Sequence, residues 1–549
     1  MTLLIATLLA ASCAKPQAAH QPTFDLLITN GTILDGTGSP WFTGDVAITG
    51  DRIVAVGRLP HAVARDTIDA TGLVVSPGWI DMLGHSEYAL LEDGRALSKI
   101  TQGITTEITG EVTSVVPVNA RTLREVPFAR GDTVDWADLD GYFARLERQG
   151  TAINLGTFVA LGSVRRYVMG DVNRAATPAE MAQMEALVAD AMRQGAMGLS
   201  TGLIYAPGSY ANTDEVLALA RVAAEHGGGY ASHIRSEGAR LVEAVQEAID
   251  IGERAGTWVQ IHHLKASGQA NWGKMPLAVA AIEAARTRGV DVTADQYPYR
   301  ASSTQLDNII PNWAHAGGTD SLVARLSDPV VRDSLRREIM GPDERVELIG
   351  ESSGGPTGVM LAGFRTDSLR RYNGLFLSDV ATQRAQHPID ALFDLLVADS
   401  AATQAIYFSM SEDDIEYAMR QPWVSIGIDA GARDTVLTSH PHPRAFGSFP
   451  RVLCHYVRAR GVITMPDAIR KFTSLPAARV GLHDRGVIKA GMRADITIFD
   501  PATVCDRATF ERPVRTSSGI EHVLVNGEPV LRSGVVTGAR PGRGLRRAR

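Results

Sequence analysis

Eight short β-like runs lie between residues 74 and 430, and most of them are followed by a segment with helical periodicity. The runs are VVSPGWIDML, TTEITGE, INLGTFVALG, GLSTGL, GYASHI, WVQIHHLK, VDVTADQYPY and VSIGIDA. Apolar residues recur near the 3.6-residue period and predict helices at 178–194, 213–226, 239–255 and 276–288. Eight strands that alternate with helices favour a (β/α)8 TIM-type barrel over an open, doubly wound α/β sheet.

Two β-rich segments flank these runs, each with alternating residues and Asn-Gly turn signals. We predict that these flanks, residues 23–76 and 485–540, pair in one β-sandwich side domain. Residues 77–484 are then the barrel domain. About a hundred residues separate the seventh and eighth runs, far more than an ordinary loop, so residues from about 300 to 401 are predicted to be an inserted lid.

Composition excludes several classes of function. The 549 residues carry a net charge of −7 without blocks of like charge, which disfavours binding to nucleic acid or to an anionic membrane surface. The three cysteines are Cys13, Cys454 and Cys505, too few for a disulfide framework or a zinc finger. Phosphate-binding glycine motifs are absent from the sequence. The expected partner is therefore a small-molecule substrate, with the oligomeric state left open.

The first thirteen residues read MTLLIATLLAASC, an apolar run as long as a signal-peptide core and too short to span a bilayer. The small residues before Cys13 resemble a lipoprotein cleavage box. We predict that residues 1–22 are a signal peptide and tether, with Cys13 as a lipid anchor, and that the protein is exported to the periplasm or anchored to a membrane. The alternatives are simple signal cleavage and an apolar N-terminus that stays on the chain. No later segment is apolar enough for a membrane helix.

Polar residues of metal-ligand type close five of the eight runs. They are His85 and Glu87 after the first, Glu111 after the second, His233 at the fifth, His262 and His263 at the sixth, and Asp429 at the eighth. Catalytic groups of barrel enzymes project from these strand ends, and imidazole with carboxylate suits Zn²⁺ with one position left for water. For each residue taken singly, the alternative is a structural hydrogen bond or a turn. His262 points to the other face of its strand from His263, so we predict that His262 is a packing residue.

The order of these features resembles the amidohydrolase superfamily, and within it the N-acyl-D-amino-acid deacylase (D-aminoacylase) group. The similar segments span about residues 24–535 and include SPGWIDMLGHSE, SKITQGITTEITGE, GAMGLSTGLIYAPGSYAN, YASHIRSE, VQIHHLKASGQANWGK, ADQYPYRASST, IGIDAG and HPHPRAFGSFPRVL. The resemblance implies a metal-dependent hydrolase that cleaves the amide bond of N-acyl-D-amino acids with zinc-activated water.

The chain departs from that group at two positions. Leu83 stands where the superfamily has the first histidine of a His-x-His pair, and Val112 stands where the deacylases have a cysteine ligand. We predict that Glu111 replaces the cysteine, since a carboxylate binds zinc well. The expectation is one tightly bound Zn²⁺ on His233, His263 and Glu111, with a weakened second site that retains His85 and Asp429; an ordinary loop carboxylate at Glu111 is the alternative.

The resemblance also assigns roles in catalysis and substrate binding. Asp429 is the expected catalytic base, which takes a proton from water and passes it to the departing nitrogen. The residues expected to bind substrate are Lys265, Tyr299, Ser303, Arg444 and Tyr205, with Arg300 as a further candidate. The alternative is that Tyr297 and Tyr299 pack between strand and helix and that Arg444 pairs with a structural acid.

Three interpretations of function remain open on the sequence. The first is a zinc-dependent N-acyl-D-amino-acid deacylase. The second is another amidohydrolase that acts on C–N bonds, such as a cyclic amidase or a dipeptidase with D-residue preference, which the missing histidine keeps open. The third is a binding protein without activity on the same scaffold. The presence of Asp429 argues against the third, because a binding protein needs no base beside a metal.

Overall fold

A computed structural model describes residues 23–125, 133–341, 355–436 and 439–547. The predicted signal peptide, its tether and Cys13 lie outside the described residues. Within the described ranges, no helix has the length and apolar character needed to cross a membrane.

The centre of the protein is a barrel of parallel strands. A six-stranded sheet and a three-stranded sheet form it, and the third barrel strand is divided between them at Phe158. In chain order the strands are Trp79–Asp81, Ile104–Thr109, Asn154–Thr157 continued by Val159–Ala160, Gly198–Gly202, Gly229–His233, Val259–Ile261, Val292–Gln296 and Val424–Ile426. A parallel bridge between Gly84 and Ala430 joins the ends of the first and eighth strands. The predicted (β/α)8 barrel is confirmed.

Helices surround the barrel and bury their apolar faces against the strands. They are Ala89–Glu92, Leu97–Ile100, Leu139–Gln149, Leu161–Met169, Pro178–Arg193, Thr213–Glu225, Leu241–Ala255, Met275–Thr287, Glu412–Met419, Arg444–Arg451, Met465–Phe472 and Ser474–Arg479, with a π-helix at Val452–Ala459. All four predicted helices are present. The helix Pro178–Arg193 shows why: Thr177 and Glu180 form a capping box, and proline occupies the first turn.

The flanking segments pair in one nine-stranded sheet. Its strands are Thr23–Ile33, Phe42–Thr49, Arg52–Gly57, Val63–Asp69, Val74–Pro77, Ile496–Phe499, Ile520–Val525, Glu528–Arg532 and Val535–Val536. The N- and C-terminal contributions meet where Val74–Pro77 pairs antiparallel with Ile496–Phe499. Alternating side chains such as Ile28, Val46 and Ile498 form an apolar cluster separate from that of the barrel. The sheet therefore joins the two ends of the chain beside the barrel.

The segment between the seventh and eighth barrel strands has a structure of its own. An antiparallel three-stranded sheet contains Ser302–Gln305, Gln404–Tyr407 in the middle, and Val359–Gly363. The helices Thr319–Ser327, Pro329–Ile339, Leu377–Gln383 and Pro388–Ala398 pack on it around a third apolar cluster. Its first strand reaches the barrel mouth, where Thr304 Oγ1 lies 3.1 Å from the hydroxyl of Tyr205.

Cys454 and Cys505 form a disulfide with a Cα–Cα distance of 5.0 Å. It links the π-helix after the eighth strand to the segment that leads into the strand Ile520–Val525. The sequence had excluded a disulfide framework; it did not predict this single pairing, because the two cysteines are 51 residues apart in sequence.

Candidate metal centre and substrate cavity

Three side chains from separate strands converge at the carboxyl ends of the barrel strands. His233 is the last residue of the fifth strand, His263 follows the sixth by two residues, and Glu111 follows the second by two. Glu111 Oε1 lies 3.1 Å from His233 Nδ1 and 2.7 Å from His263 Nε2. All three side chains are buried, and one ligand atom of each falls within 4.8 Å of the other two. Two imidazoles and a carboxylate so placed are a zinc-type ligand set with room for water.

The electrostatics of this group keep Glu111 ionised and His233 neutral, whereas His263 is protonated: burial and Lys265 lower its pKa, but the carboxylates of Glu237 and Glu111 raise it to about 10, so a metal ion would have to displace that proton. Burial alone would raise the pKa of Glu111, but the neighbouring histidines, His263 foremost, hold it well below its usual value. Burial lowers the pKa of His233, which keeps that ring neutral. His233 Nε2 is buried and has no hydrogen-bond partner among the described residues; Glu237 Oε1 lies 3.8 Å from it. A packing histidine normally has its buried ring nitrogens hydrogen-bonded, so a buried nitrogen without a partner indicates a metal ligand instead.

A second group lies directly beside the first. His85 Nε2 is 3.4 Å from Glu111 Oε2 and 3.1 Å from Asp429 Oδ1. Although burial lowers the pKa of His85, hydrogen bonds to Asp429 and Glu111 hold it well above the usual value. Arg444 Nη1 donates to Asp429 Oδ2 at 2.7 Å. Burial would raise the pKa of Asp429, but the Arg444 guanidinium lowers it to about 2, so this carboxylate is ionised.

Two acidic residues that the sequence analysis did not single out hold the histidines in place. Asp295, from the seventh strand, accepts a hydrogen bond from the backbone nitrogen of His263 at 2.8 Å, and His263 has a φ of 36°. A positive φ is unfavourable for a residue with a β-carbon, so surrounding contacts must maintain it. Glu237 Oε1 lies 2.9 Å from His263 Nδ1 and 2.5 Å from Lys265 Nζ. The one sequence signal for the role of Glu237 was its position four residues after His233.

His262 is turned away from the metal-ligand group. Its Nδ1 lies 2.9 Å from Asp295 Oδ2, and the side chain is 1% exposed. The predicted packing role of His262 agrees with this position.

A cavity of about 490 Å³ opens above the metal-ligand group. Of the residues predicted to bind substrate, Lys265, Ser303, Arg444 and Tyr205 line it. The lining includes Tyr297 and not Tyr299, whose ring instead lies against the guanidinium of Arg451 at 4.9 Å. Arg300 points away from the cavity and is 68% exposed beside Glu412. The tyrosine that lines the cavity is therefore Tyr297 and not the predicted Tyr299. Tyr297 is nearer to the end of the seventh strand.

A second cavity, which we call the side cavity, has a volume of about 330 Å³ and shares part of its lining with the first. The shared residues are His85, Thr113, Arg166, Gly431 and Arg433. Glu87 also lines the side cavity, and burial raises the pKa of this carboxyl to about 7. The two cavities are therefore adjacent.

Comparison with characterised proteins agrees with this geometry. D-aminoacylase of Alcaligenes xylosoxydans xylosoxydans is 36% identical over 97% of this chain and 99% of that protein. The chain belongs to the amidohydrolase family. N-acyl-D-glutamate deacylase of the same organism is 37% identical to this amidohydrolase over 96% of the chain and 97% of the relative. The Amidohydrolase family model matches residues 369–531.

Solved structures agree over nearly the whole length of this amidohydrolase. N-acyl-D-glutamate deacylase from Bordetella bronchiseptica, complexed with zinc and a phosphonate mimic of the tetrahedral intermediate, has a TM-score of 0.81 at 34% identity over 96% of this chain and 100% of that one. A D-aminoacylase crystal structure has a TM-score of 0.80 at 35% identity, with 95% and 100% covered. The resemblance predicted from the motifs is confirmed.

The two residues at which this amidohydrolase differs from the deacylase motifs both lie close to the candidate site. Leu83 is buried at 2% exposure, and Val112 lines the main cavity beside Gly202. Neither side chain can ligate a metal. The carboxylate of Glu111 lies against His233 and His263.

Proposed function

We propose that this amidohydrolase hydrolyses the amide bond of N-acyl-D-amino acids. The observation that carries the proposal is the juxtaposition of the Glu111, His233 and His263 ligand set with the ionised Asp429 at the floor of the main cavity. The activities named for its relatives, D-aminoacylase and N-acyl-D-glutamate deacylase, support the same chemistry.

We infer that Zn²⁺ is the metal, held by Glu111, His233 and His263. A zinc ion bound there supplies a Lewis acid that polarises the scissile carbonyl and lowers the pKa of water. Zinc is present in the related N-acyl-D-glutamate deacylase structure. The second group, His85 with Asp429 and Glu111, has fewer neutral ligand nitrogens, because the His-x-His pair is reduced to His85. One tightly bound ion per chain is expected.

Asp429 performs the proton transfers in this proposal. Its carboxylate lies within 3.1 Å of His85 and is ionised, so it can accept a proton from the attacking water. The same carboxyl then delivers that proton to the departing amide nitrogen. Arg444 orients the carboxylate through the 2.7 Å hydrogen bond to Oδ2, leaving Oδ1 toward His85.

The α-carboxylate of the substrate is expected on the side of the main cavity where Lys265 and Arg444 lie, although Glu237 already contacts the ammonium and Asp429 the guanidinium. The two cations flank the ring of Tyr297, with the Arg444 guanidinium 4.6 Å and Lys265 Nζ 5.5 Å from its centroid. A guanidinium and an ammonium on one wall suit an anionic group with several acceptor oxygens.

Amine release from N-acetyl-D- and N-acetyl-L-amino acids by the purified zinc-loaded protein tests the proposal. We expect turnover of D-substrates with at least one side-chain class and loss of that turnover after zinc removal by a chelator, with recovery on adding zinc. Turnover of cyclic amides alone would replace the proposal with the cyclic amidase alternative. A protein that holds no metal and turns over none of these substrates would overturn it.

We further propose that the protein is exported. The disulfide between Cys454 and Cys505 supports an oxidising compartment, since such bonds persist outside the cytosol. The pairing leaves Cys13 as the remaining cysteine, at the end of the apolar N-terminal run. Mass spectrometry of the mature N-terminus tests this: a lipid-modified Cys13 is expected in the membrane fraction, and an intact Met1 in the cytosol would contradict export.

A further inference from the structure

The first strand of the inserted segment, Ser302–Gln305, which we call the lid strand, lies at the edge of its sheet. It pairs antiparallel with Gln404–Tyr407 on one side, and all four of its residues line the main cavity. An edge strand has backbone donors and acceptors on its outer side that need partners from elsewhere in the protein. The groups that bind this outer edge therefore fix where the lid strand sits above the metal-ligand group.

Two side chains from one short segment bind the outer edge. His442 Nε2 lies 2.9 Å from the carbonyl oxygen of Ala301, and Arg444 Nη2 donates to the carbonyl oxygen of Ser303 at 3.0 Å. Carbonyl groups two residues apart in an extended chain point to the same edge. His442 and Arg444 are themselves two residues apart, so together they hold two successive acceptors of this edge.

The other ring nitrogen of His442 contacts Arg444 directly. His442 Nδ1 accepts a hydrogen bond from the backbone nitrogen of Arg444 at 2.9 Å. Because Nδ1 is an acceptor here, Nε2 carries the proton and donates to Ala301. Burial, together with the Arg444 guanidinium, holds the pKa of His442 well below its usual value, so the ring is neutral. One imidazole therefore binds the start of the lid strand and the backbone of Arg444 at the same time.

Arg444 passes this contact on to the catalytic base of the proposed function. Its Nη1 donates to Asp429 Oδ2 at 2.7 Å, and its side chain is 5% exposed. Asp429 has a φ of 55°, a conformation that surrounding contacts must maintain. A shift of the Arg444 backbone would therefore move the hydrogen-bond partner of the Asp429 carboxylate.

The remaining contacts of His442 are with aromatic rings. The centroids of Tyr299 and Phe510 lie 5.2 and 5.1 Å from that of the imidazole, both at nearly right angles to it. These edge-to-face contacts need only a flat ring, and phenylalanine would also make them. The two ring nitrogens are thus what distinguishes histidine from an ordinary packing residue at this position.

We propose that His442 is a positioning residue that holds Arg444 against Asp429 and docks the lid strand over the metal-ligand group. The inference rests on the proposed function, in which Asp429 transfers the protons. His442 acts through Arg444 and takes no part in the proton transfer.

Three substitutions of His442 separate its two hydrogen bonds from its packing. His442→Phe keeps a ring and removes both bonds. His442→Asn places an amide oxygen at the position of Nδ1, and His442→Gln places an amide nitrogen at the position of Nε2. Each variant is compared with wild type at equal zinc content, on an N-acyl-D-amino acid that the wild-type protein hydrolyses.

Steady-state kinetics test the contact with Arg444. We expect kcat to fall at least tenfold in His442→Phe, because small displacements of catalytic groups are costly. We expect kcat in His442→Asn to be at least threefold above that in His442→Phe, because the amide oxygen accepts the backbone N–H of Arg444. A kcat in His442→Phe within twofold of wild type, or equal kcat values in the Phe and Asn variants, overturns the positioning role.

Hydrogen exchange measured by mass spectrometry tests the docking of the lid strand without using activity. We expect the amides of residues 302–305 to exchange at least tenfold faster in His442→Phe than in wild type, and at a rate closer to wild type in His442→Gln. Equal exchange in His442→Phe and wild type overturns the docking. A wild-type protein that hydrolyses none of the substrates, combined with faster exchange in His442→Phe, overturns the proposed function and leaves the docking in place.

His315→Phe is the matched control. His315 Nε2 lies 3.2 Å from the carbonyl oxygens of Asp307 and Ile310 within the same inserted segment. The substitution therefore also removes contacts between a histidine and backbone carbonyl groups, but away from Arg444. We expect kcat and the exchange of residues 302–305 to stay at wild-type values. The same losses in His315→Phe as in His442→Phe would mean a general loosening of the insertion and would overturn the inference.

Discussion

The carboxyl group of Glu107 lies against the α-carbon of Gly84, where an added β-carbon would come within 1.8 Å of Glu107 Oε1. The same oxygen accepts a hydrogen bond from the backbone nitrogen of Ser86 at 3.0 Å, and Oε2 lies 3.4 Å from Lys99 Nζ. A side chain of the second strand thus fills the space beside the segment in which the superfamily carries its His-x-His pair. The replacement of the first histidine by Leu83 is accompanied by this buried carboxylate.

Lys99 neutralises the acids of this region. Its Nζ donates hydrogen bonds to Asp81 Oδ2 at 2.7 Å and to the carbonyl oxygen of Ala430 at 2.7 Å. Although burial lowers the pKa of Lys99, the carboxylates of Asp81 and Glu107 hold it above the usual value. Asp81 Oδ1 also accepts the backbone N–H of Ile428 at 2.8 Å. The ion cluster therefore links the first, second and eighth barrel strands beneath the candidate metal centre.

Replacement of Lys99 by methionine should destabilise the protein strongly. The substitution leaves Asp81 and Glu107 buried without their cation, for which we expect a loss of about 3–5 kcal/mol in the free energy of unfolding. Urea unfolding measures it. The control is Arg254→Met, which breaks the exposed pair between Arg254 and Asp214 and should cost about 0.2–1 kcal/mol. Similar losses in both variants would contradict a buried cluster with this role.

The strand-end histidines and acids were predictable because each follows a β-like run, and the parallel barrel brings these strand ends to one face. Asp295 and Glu237 were not predictable in the same way. Their contacts with His263 depend on the positive φ of that residue and on side-chain directions, which periodicity does not report. The sequence also pointed to Tyr299 where Tyr297 lines the cavity. The alternation of residues over a Pro-containing turn does not fix which of the two rings faces the cavity.

Asp295→Asn should weaken zinc binding without removing a ligand. Asp295 Oδ2 accepts hydrogen bonds from Gln260 Nε2 at 2.7 Å and lies 2.9 Å from His262 Nδ1, so an amide nitrogen there would face donors. If the amide turns its nitrogen away from those donors, the nitrogen faces the backbone N–H of His263, which then loses its acceptor. We expect zinc affinity to fall about 10–100-fold, measured by competition with a chromophoric chelator. The exposed Asp250→Asn is the control, and equal affinity in both variants would contradict the role of Asp295.

Glu111→Gln and Asp429→Asn should separate metal binding from proton transfer. Glu111→Gln is expected to lose both bound zinc and activity, because an amide is a poor substitute for the carboxylate between His233 and His263. Asp429→Asn is expected to retain zinc while kcat falls about 10²–10⁴-fold. Elemental analysis and steady-state kinetics give the two readouts. Full zinc content in Glu111→Gln would remove Glu111 from the ligand set.

Lys471 should make the stability of the protein depend on pH in the alkaline range. The side chain is fully buried beside the start of the eighth strand, where Nζ donates to the carbonyl oxygen of Val424 at 3.0 Å. Burial lowers the pKa of Lys471 to about 8. Between that value and the unfolded value of about 10.4, the unfolded chain binds more protons than the folded chain. The free energy of unfolding therefore rises as pH increases through this window. Below pH 8 the cost of burying the charged ammonium is fully present.

The variant Lys471→Met isolates this contribution, because all other lysines and tyrosines titrate alike in the two proteins. In the variant, the carbonyl groups that lose their donor lower the free energy of unfolding by the same amount at every pH. Only the protonation of Lys471 therefore makes the difference between the two proteins change with pH. We expect the free energy of unfolding of wild type relative to Lys471→Met to improve by about 2 kcal/mol between pH 7.5 and 9.5. Urea unfolding at the two pH values measures this shift. A difference between the two proteins that is independent of pH would mean that Lys471 keeps an ordinary pKa in the folded protein.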